Sequence, residues 1–448
     1  MARHADGDRF LRQDLRRDYP MIVKGEGHYI WDDQGKRYLD GSSGGVSVVV
    51  IGHSVPEIIR AITEQASSLC HAHISAYDTQ PAIYLAERII RDFAPAGMSH
   101  VYFVTTGTEA TELAVKLARR YHLEQGQATR SRVVSRWGSY HGSSFGALSY
   151  GGRPERRRDL YPYLFDSDFI PGPWCYHCPF GESYPECDLK CARALEDHIN
   201  WVGETAVSAF IAEPVSVSAG VQGAPPEYFP LIRDICDRHG VLMIMDEVIT
   251  GWGRTGAKFG IDHWGVVPDF ICAAKGMAGG YVPLGATIIH GRVVKALESS
   301  GRSMQGYTYG GNPLSCAGGD AVLSYIHTHN LIDRSARVGA EMKERAQVLL
   351  DLPIVGDVRG WGTLLGVEYV ADRETREPFG RELHVAERIR DVAFNNGLTI
   401  CPITGFVDGI RGDVSVLSPP FTTPSEDITN MLDILEGAIR EVQKEVMA

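Results

Sequence analysis

The sequence predicts an α/β protein built on a mostly parallel sheet. In its middle third, strand-like and helix-like segments alternate, and the strand-like segments are near-continuous apolar runs such as VLMIMD at 241–246. Such runs are typical of parallel strands that helices cover on both faces. After about Thr328 the pattern changes to strand-like segments around Gly360 and Gly362, followed by helices. We therefore predict a large domain and a smaller α+β domain, divided as residues 1–70 (small), 71–327 (large) and 328–448 (small).

The individual elements follow from the spacing of apolar residues. The charged arm up to about Pro20 is expected to be helical or partly ordered, and alternating apolar residues around a DDQG turn predict a hairpin at 28–44. A short apolar run follows at 46–54. The predicted strands of the middle third are 99–105, 133–137, 206–213, 241–246, 270–274 and 284–290. The helices, which have apolar residues on one side, are predicted at 56–69, 109–121, 228–239, 331–350, 383–396 and 424–446.

Composition and charge exclude some classes of function. The chain has 448 residues, 44% of them apolar, which is enough for a large core. Its 44 basic and 56 acidic residues give a net charge of −12, which argues against a surface for nucleic acid or an anionic membrane. One basic run, RPERRR at 153–158, is short and is interrupted by Pro154 and Glu155. We interpret it as a solvated loop.

The location is predicted from apolar runs and cysteines. No apolar run reaches the length of a membrane span, and the N-terminus carries charges where a signal peptide has an apolar core. The nine cysteines are mostly single residues in apolar surroundings, such as Cys236 and Cys272, which fits a reducing compartment. We expect a soluble cytoplasmic protein.

Four polar features stand where predicted strands end. They are Thr106-Gly107-Thr108, Tyr140-His141-Gly142, Asp246 and Lys275. In open α/β sheets, ligands bind outside the carboxyl ends of the strands, so we expect these features to meet at one site.

The first feature predicts a phosphate site. Thr106-Gly107-Thr108 lies between a strand and a helix, where unpaired N–H groups and the helix dipole favour an anion. Gly107 allows close approach and Thr108 adds a hydroxyl donor. The alternative is a plain threonine N-cap, which is common.

Lys275 and Asp246 suggest imine chemistry on a charged ring. Lys275 follows two alanines, and burial would lower its pKa and favour the neutral amine that forms a Schiff base. Asp246 ends an apolar strand, so its carboxylate needs a cationic partner, for which a protonated pyridine nitrogen would serve. The alternatives are a lysine that reaches solvent and, for Asp246-Glu247, a buried carboxylate paired with an arginine, for which Arg254 is available. Tyr140 and His141 offer aromatic faces on which a flat ring could stack. The alternative is that both side chains take part only in ordinary packing within the protein. Together these parts suit pyridoxal phosphate.

The motifs around these residues carry a family resemblance. They occur along the chain as TGTEATELAVKLAR, YHG, AEPV, MDEVITGWGRTG, AAKG and TYGGNPLSCA. With them the sequence resembles the class III aminotransferases (ω-amino acid, ornithine and GABA-type) of the fold type I pyridoxal-phosphate family, from the WDDQGKRYLDG hairpin to the C-terminus. The resemblance implies a seven-stranded central sheet in the large domain and pyridoxal 5′-phosphate as the cofactor.

The resemblance also implies roles for the residues that would act on the cofactor ring. Lys275 would form the internal aldimine and then carry a proton between Cα and C4′. Asp246 would pair with the pyridinium nitrogen. Val248 and Tyr140 would pack on opposite ring faces, with His141 next to Tyr140 in the same motif.

Further roles concern the phosphate and the subunit arrangement. Gly107 and Thr108 would hold the phosphate, and Thr308 would reach the phosphate of the neighbouring subunit. The site would therefore need a homodimer, with a dimer of dimers as a further alternative. Glu213 would lie near cofactor and substrate as a possible partner for an arginine.

The activity implied is ping-pong transfer of an amino group from an amine or ω-amino acid to an α-keto acid, pyruvate or 2-oxoglutarate. A keto acid calls for a carboxylate-binding arginine. Arg411 in DGIRGD is the candidate, with a structural ion pair of its loop as the alternative. The segment SSGGVSVVV lacks the tryptophan of many amine:pyruvate enzymes, so the donor amine is not named.

Other functions remain open on the same motifs. An amino acid or lactam racemase, a decarboxylating transaminase or an aminomutase would share Lys275 and Asp246. A cofactor-binding protein with an inactive site would be expected to have lost one of these residues, and both are present. A nucleotide site is disfavoured because no G-x-G-x-x-G or G-x-x-x-x-G-K-[ST] follows a strand.

One cysteine cluster is left unexplained by this activity. Cys175, Cys178, Cys187 and Cys191 follow the spacing C-x₂-C-x₈-C-x₃-C. They would bind a structural zinc ion or iron–sulfur cluster, form a local disulfide or remain free thiols in a surface insertion. The spacing is not that of a common zinc module, so no metal site is assigned.

Overall fold

The computed structural model describes residues 9–15, 17–304 and 306–447. Its strands are β1 (Ile22–Glu26), β2 (Tyr29–Asp32), β3 (Arg37–Leu39), β4 (Met98–Val104), β5 (Arg132–Arg136), β6 (Asp168–Ile170), β7 (Val207–Ala212), β8 (Val215–Ser216), β9 (Gln222–Gly223), β10 (Leu242–Asp246), β11 (Phe270–Ala273), β12 (Gly285–His290), β13 (Val355–Trp361), β14 (Leu364–Tyr369), β15 (Cys401–Thr404) and β16 (Asp413–Leu417). Its helices are α1 (Pro56–Ser68), α2 (Gln80–Arg88), α3 (Gly107–Glu124), α4 (Phe145–Ser149), α5 (Pro154–Arg157), α6 (Lys190–Val202), α7 (Tyr228–His239), α8 (Gly291–Glu298), α9 (Pro313–Thr328), α10 (Leu331–Ala346), α11 (Val385–Asn395) and α12 (Ser425–Val446).

A seven-stranded sheet forms the centre of the fold. Its order is β4-β12-β11-β10-β7-β5-β6. The four pairings from β11 to β6 are parallel, whereas β12 pairs antiparallel with both of its neighbours. Strands β7, β10 and β11 are buried along their whole length, which explains their continuous apolar sequence. The predicted mostly parallel α/β sheet is confirmed.

Helix α3 follows the edge strand β4, and its first turn borders the candidate site. Its apolar side is buried. That side consists of Ala110, Leu113, Ala114, Leu117 and Ala118, at the spacing that the sequence shows. It packs against the central sheet, which fixes the helix N-terminus at the edge of the sheet where β10 and β11 end.

The smaller sheets combine the two ends of the chain. An antiparallel sheet of order β13-β14-β16-β15 lies in the C-terminal part, and β1, β2 and β3 form a three-stranded antiparallel sheet. A separate apolar cluster joins Leu39 to residues of α10, α11 and α12. This packing supports a small domain made from both termini, and the boundaries after residues 70 and 327 stay predictions.

Some local predictions are wrong or lie outside the described residues. The arm at 9–15 and 17–20 forms no helix, and residues 1–8 and 16 are not described. The basic run is not simply a solvated loop, because Arg153 and Arg157 are each only 8% exposed. Their guanidinium groups donate to backbone carbonyls, which places this segment against the body of the protein.

The cysteine segment is a surface excursion docked on the C-terminal sheet. Nε2 of His177 lies 2.6 Å from Oε1 of Glu368, a buried residue of β14. All four cysteines of the cluster are free thiols, and within the described residues no three metal-ligating side chains are arranged to hold an ion. Among the helices of the same residues, none has both the length and the apolar character needed to cross a bilayer.

Candidate active site

One cavity of about 170 Å³ lies at the carboxyl ends of β10 and β11, next to the start of α3. All the predicted cofactor residues except Thr308 line it. The full lining is Gly107, Thr108, Tyr140, His141, Gly142, Glu213, Val215, Val217, Ser218, Asp246, Val248, Ile249, Thr250, Ala274 and Lys275. Residues more than 160 positions apart in the sequence thus border a single space.

The first turn of α3 offers donors to this cavity. Thr106 is the N-cap, and its Oγ1 accepts the N–H of Glu109 at 3.1 Å. Because Thr106 fills the capping role, the plain-cap alternative does not account for Thr108, whose Oγ1 instead accepts the N–H of Ser143 at 3.4 Å. The N–H groups of Gly107 and Thr108 belong to the turn that has no intrahelical acceptor. This end of the helix suits an anion.

Gly107 is required by close packing. A Cβ atom at this position would lie 2.7 Å from Cγ2 of Val248, which is much closer than real Cβ contacts. The start of α3 and the turn after β10 therefore approach each other directly. This contact places the N-terminus of α3, the end that suits an anion, next to Val248 in the turn after β10.

Asp246 is the last residue of β10, and its carboxylate is held from two sides. Its Oδ2 lies 2.8 Å from Nδ1 of His141, and its Oδ1 accepts the N–H of Val248 at 3.0 Å. His141 and Asp246 are 2% and 4% exposed. His141, considered from the sequence as a ring for stacking, is thus a hydrogen-bonding partner of Asp246.

The alternative pairing of Asp246 with Arg254 is wrong. Arg254 is fully buried and directs its guanidinium to the carbonyls of Ser418 and Pro419, at 3.0 and 2.7 Å. Burial lowers the pKa of Arg254 to about 9. Its role is to tie distant backbone segments together, which leaves the Asp246 carboxylate to His141 and the cavity.

Lys275 follows β11 and faces Asp246 across the cavity region. Its backbone has a positive φ of 42°, which is uncommon for a residue with a side chain. Burial lowers the pKa of Lys275 to about 8, although Asp246 opposes this change. Within the described residues its amine forms no hydrogen bond or ion pair, and the residue is partly exposed at the cavity wall.

Glu213 is locked into the wall of the cavity. Its Oε1 accepts the N–H of Tyr140 at 3.0 Å and its Oε2 lies 3.2 Å from Nη2 of Arg136. Burial acts to raise the pKa of Glu213, but the charges of His141 and Arg136 outweigh it, and the pKa is lowered. Glu213 is therefore an ionised structural partner that positions Tyr140.

Two predicted residues lie outside the cavity of this chain. Thr308 is exposed, so a contact with phosphate would have to be made in another subunit. Arg411 is held by two carboxylates: its Nε lies 2.7 Å from Oδ2 of Asp408 and its Nη1 lies 2.5 Å from Oε1 of Glu377. Both roles stay predictions, and the ion-pair alternative describes Arg411 in this conformation.

Sequence reasoning missed several residues that line the cavity or hold Glu213 in its wall. Arg136 ends β5, and Ser216 and Ser218 follow β7, with the Ser216 hydroxyl donating to Glu213 at 3.1 Å. Arg136 could have been found by the rule that located Asp246, because it too is a charged residue at the carboxyl end of an apolar strand. The serines carry no comparable signal, since small polar residues are common in loops.

Comparisons with known proteins identify the family of this chain. The family model for class III aminotransferases covers residues 14–439. The adenosylmethionine-8-amino-7-oxononanoate aminotransferase of Geobacter sulfurreducens is 36% identical, covering 94% of this chain and 92% of the relative. The putrescine–pyruvate aminotransferase of Pseudomonas aeruginosa is 32% identical, covering 96% and 92%. The crystal structure of an amine transaminase from an uncultivated Pseudomonas species, in a PLP-bound form, is 36% identical, with a TM-score of 0.91 and 98% of both chains covered.

Proposed function

The chain belongs to the class III aminotransferases, pyridoxal-phosphate-dependent enzymes of fold type I, and from this premise we propose that it transfers an amino group from an amine or ω-amino acid to an α-keto acid such as pyruvate or 2-oxoglutarate. The relatives are named for different donors, so family membership alone does not select one. The single observation that carries the proposal is that a partly buried lysine amine, without a partner among the described residues, and a buried carboxylate border one cavity beside a helix N-terminus.

The residues present fit pyridoxal phosphate. The first turn of α3, with Gly107 and Thr108, would take the phosphate, because its N–H groups have no intrahelical acceptor. Asp246 would take the pyridine nitrogen, with His141 holding the other side of the carboxylate. Val248 and Tyr140 would lie against the ring. When bound, pyridoxal phosphate supplies an electron sink for cleavage of the bond from Cα to hydrogen.

Lys275 would carry the proton between Cα of the substrate and C4′ of the cofactor. Because burial lowers its pKa to about 8, a large fraction of its amine is neutral at mildly alkaline pH, where it can act as a nucleophile and as a base. Asp246, kept in place by His141 and by the Val248 N–H, would hold a proton on the ring nitrogen.

We include in the proposal that the chain acts as a homodimer. Thr308 is the supporting observation, since its side chain is exposed and lies outside the cavity of its own chain. A Thr308→Ala variant should bind the cofactor more weakly if the residue reaches the neighbouring site. Sedimentation of the wild type should then give the mass of a dimer or a multiple of it.

The function is tested with a screen of amine donors against pyruvate and 2-oxoglutarate. The purified protein should show the visible absorption of lysine-bound pyridoxal phosphate, and Lys275→Ala should lose both this absorption and turnover. Retained turnover in Lys275→Ala would remove the assignment of this residue. Change of stereochemistry or release of CO₂ without amino transfer would instead indicate a racemase, an aminomutase or a decarboxylating enzyme.

A further inference from the structure

We propose, building on the aminotransferase function above, that Arg156 binds the carboxylate of the keto-acid acceptor at the mouth of the active-site cavity. The basis is that its guanidinium lies beside Tyr140 of the cavity wall and has no carboxylate partner among the described residues.

The position of Arg156 comes from the way its segment is docked. Helix α5 follows Arg153, whose guanidinium donates to the carbonyls of Ser218 and Thr404. Ser218 lines the cavity. One turn later, the guanidinium carbon of Arg156 lies 5.9 Å from the centre of the Tyr140 ring. The segment therefore carries Arg156 to the side of the cavity that Tyr140 and Ser218 form.

The charges around the cavity leave Arg156 as the free cation. Asp246 is paired with His141 and Glu213 with Arg136, and Arg153 is paired with Glu155. Arg156 is exposed and enters no ion pair within the described part of the chain. Among the described residues that line the cavity, the Lys275 amine is also unpaired, but it has to remain free for chemistry.

The thiol of Cys401, the first residue of β15, lies close to the same group of positive charges. Burial raises the pKa of its thiol, and the charges of Lys275, Arg153, Arg390 and Arg156 oppose that rise. Lys275 and Arg156 are thus both close enough to act on the same thiol. The region between them suits a short molecule with a reacting carbon at one end and a carboxylate at the other.

Arg411 is the competing candidate, and its surroundings distinguish it from Arg156. Its guanidinium is already bound by Asp408 and Glu377, so binding a substrate would first require breaking two ion pairs. The loop that carries Arg411 also contacts the residue after α5, because Nη2 of Arg158 donates to the carbonyl of Gly409 at 3.1 Å. Arg156 needs no such rearrangement.

The test compares Arg156→Ala, Arg156→Lys and Arg411→Ala with Arg337→Ala, a control at an exposed position of α10. Binding of glutarate and propionate to the cofactor-loaded protein is measured by calorimetry, since these acids lack the reacting keto group. Arg156→Ala should weaken binding about tenfold or more, the size of a charge-assisted hydrogen bond. Arg156→Lys should retain part of the affinity, whereas Arg411→Ala and Arg337→Ala should resemble wild type.

Kinetics give the second measurement. Arg156→Ala should raise KM for pyruvate and 2-oxoglutarate about tenfold or more and leave kcat, and KM for an uncharged aldehyde acceptor, within about twofold. Wild-type acid binding in Arg156→Ala, an equal loss with the aldehyde, or weakened acid binding in Arg411→Ala alone would overturn the proposal. If no donor supports amino transfer in the wild type, the proposed function fails while calorimetry still decides the role of Arg156.

Discussion

Nδ1 of His141 lies 2.8 Å from Oδ2 of Asp246, although the two residues are 105 positions apart in the sequence. Both side chains are buried, and Nε2 of His141 lies 3.3 Å from the hydroxyl of Ser135. The carboxylate that would face the ring nitrogen is therefore oriented by the protein itself. Its second oxygen is held by the N–H of Val248.

From this pair we predict a graded loss of activity. Asp246→Asn should reduce kcat/KM by about 10³-fold or more, because it removes the charge opposite the ring nitrogen. His141→Ala should reduce it by about 10- to 100-fold, since the carboxylate loses one charge-assisted hydrogen bond but keeps its charge. Steady-state kinetics and the dissociation constant of pyridoxal phosphate measure both effects.

His122→Ala is the control for the loss of a buried histidine. His122 is also fully buried but bonds to Gln127 and to the carbonyl of Ser208, away from the cavity. The His122→Ala substitution should lower thermal stability without changing the affinity for the cofactor. Wild-type kcat/KM in His141→Ala would contradict the orienting role.

The Lys275 amine should determine how cofactor uptake depends on pH. Its pKa is lowered from 10.5 to about 8 by burial, so the neutral, nucleophilic form predominates above about pH 8. The rate at which the apo-protein gains the visible absorption of bound pyridoxal phosphate should rise with a midpoint near pH 8. Lys275→Ala should show no such gain, and Lys36→Ala, at an exposed surface lysine, should behave as wild type. A rate that keeps rising to pH 10 would place the amine in an ordinary aqueous environment.

The contact between α3 and the turn after β10 should be sensitive to one methyl group. In Gly107→Ala the new Cβ would stand 2.7 Å from Val248, so Val248 or the helix start has to shift. We expect weaker binding of pyridoxal phosphate, by about tenfold or more, because both elements border the cavity. Equilibrium titration of the apo-protein measures this affinity.

Gly437→Ala is the matched control for that substitution. Gly437 lies in α12, and a Cβ there would meet no atom within 4 Å. Alanine is favoured over glycine in a helix by about 1 kcal/mol, so this variant should be slightly more stable and bind the cofactor normally. Unchanged cofactor affinity in Gly107→Ala would show that the site tolerates a shift of the helix start.

The sequence predicted the parts of the site that strand ends determine. Asp246 and Lys275 were predictable because each follows a continuous apolar run, and parallel strands bring their carboxyl ends to one edge. The hydrogen bond between His141 and Asp246 was not, because it depends on how the loop after β5 folds over the sheet. The burial of Arg153 was missed for a similar reason, and the sequence could not decide between the two alternatives for Arg411, a substrate contact and a loop ion pair. A charged residue in a loop looks the same in sequence whether it meets solvent, a carbonyl or a carboxylate.

Asp413, at the start of β16, should make stability depend on pH. It is 1% exposed, its Oδ1 accepts the N–H of Ala386 at 3.1 Å, and its Oδ2 has no partner among the described residues. Burial raises the pKa of Asp413 from 3.8 to about 6. Well below pH 3.8 the carboxyl is protonated in both folded and unfolded chains, so it costs nothing there.

As the pH rises from about 4 to about 6, the unfolded chain loses this proton first, and the folded state is destabilised by up to about 3 kcal/mol. Asp413→Asn has no charge to bury. The difference between its thermal midpoint and that of wild type should therefore increase in favour of the variant from about pH 4 to about pH 6, and stay constant above about pH 6. Asp433→Asn, at an exposed position of α12, should follow wild type throughout. A constant difference between Asp413→Asn and wild type from pH 4 to pH 7 would mean that the carboxyl titrates alike in both states, and that its missing hydrogen bond is supplied in solution.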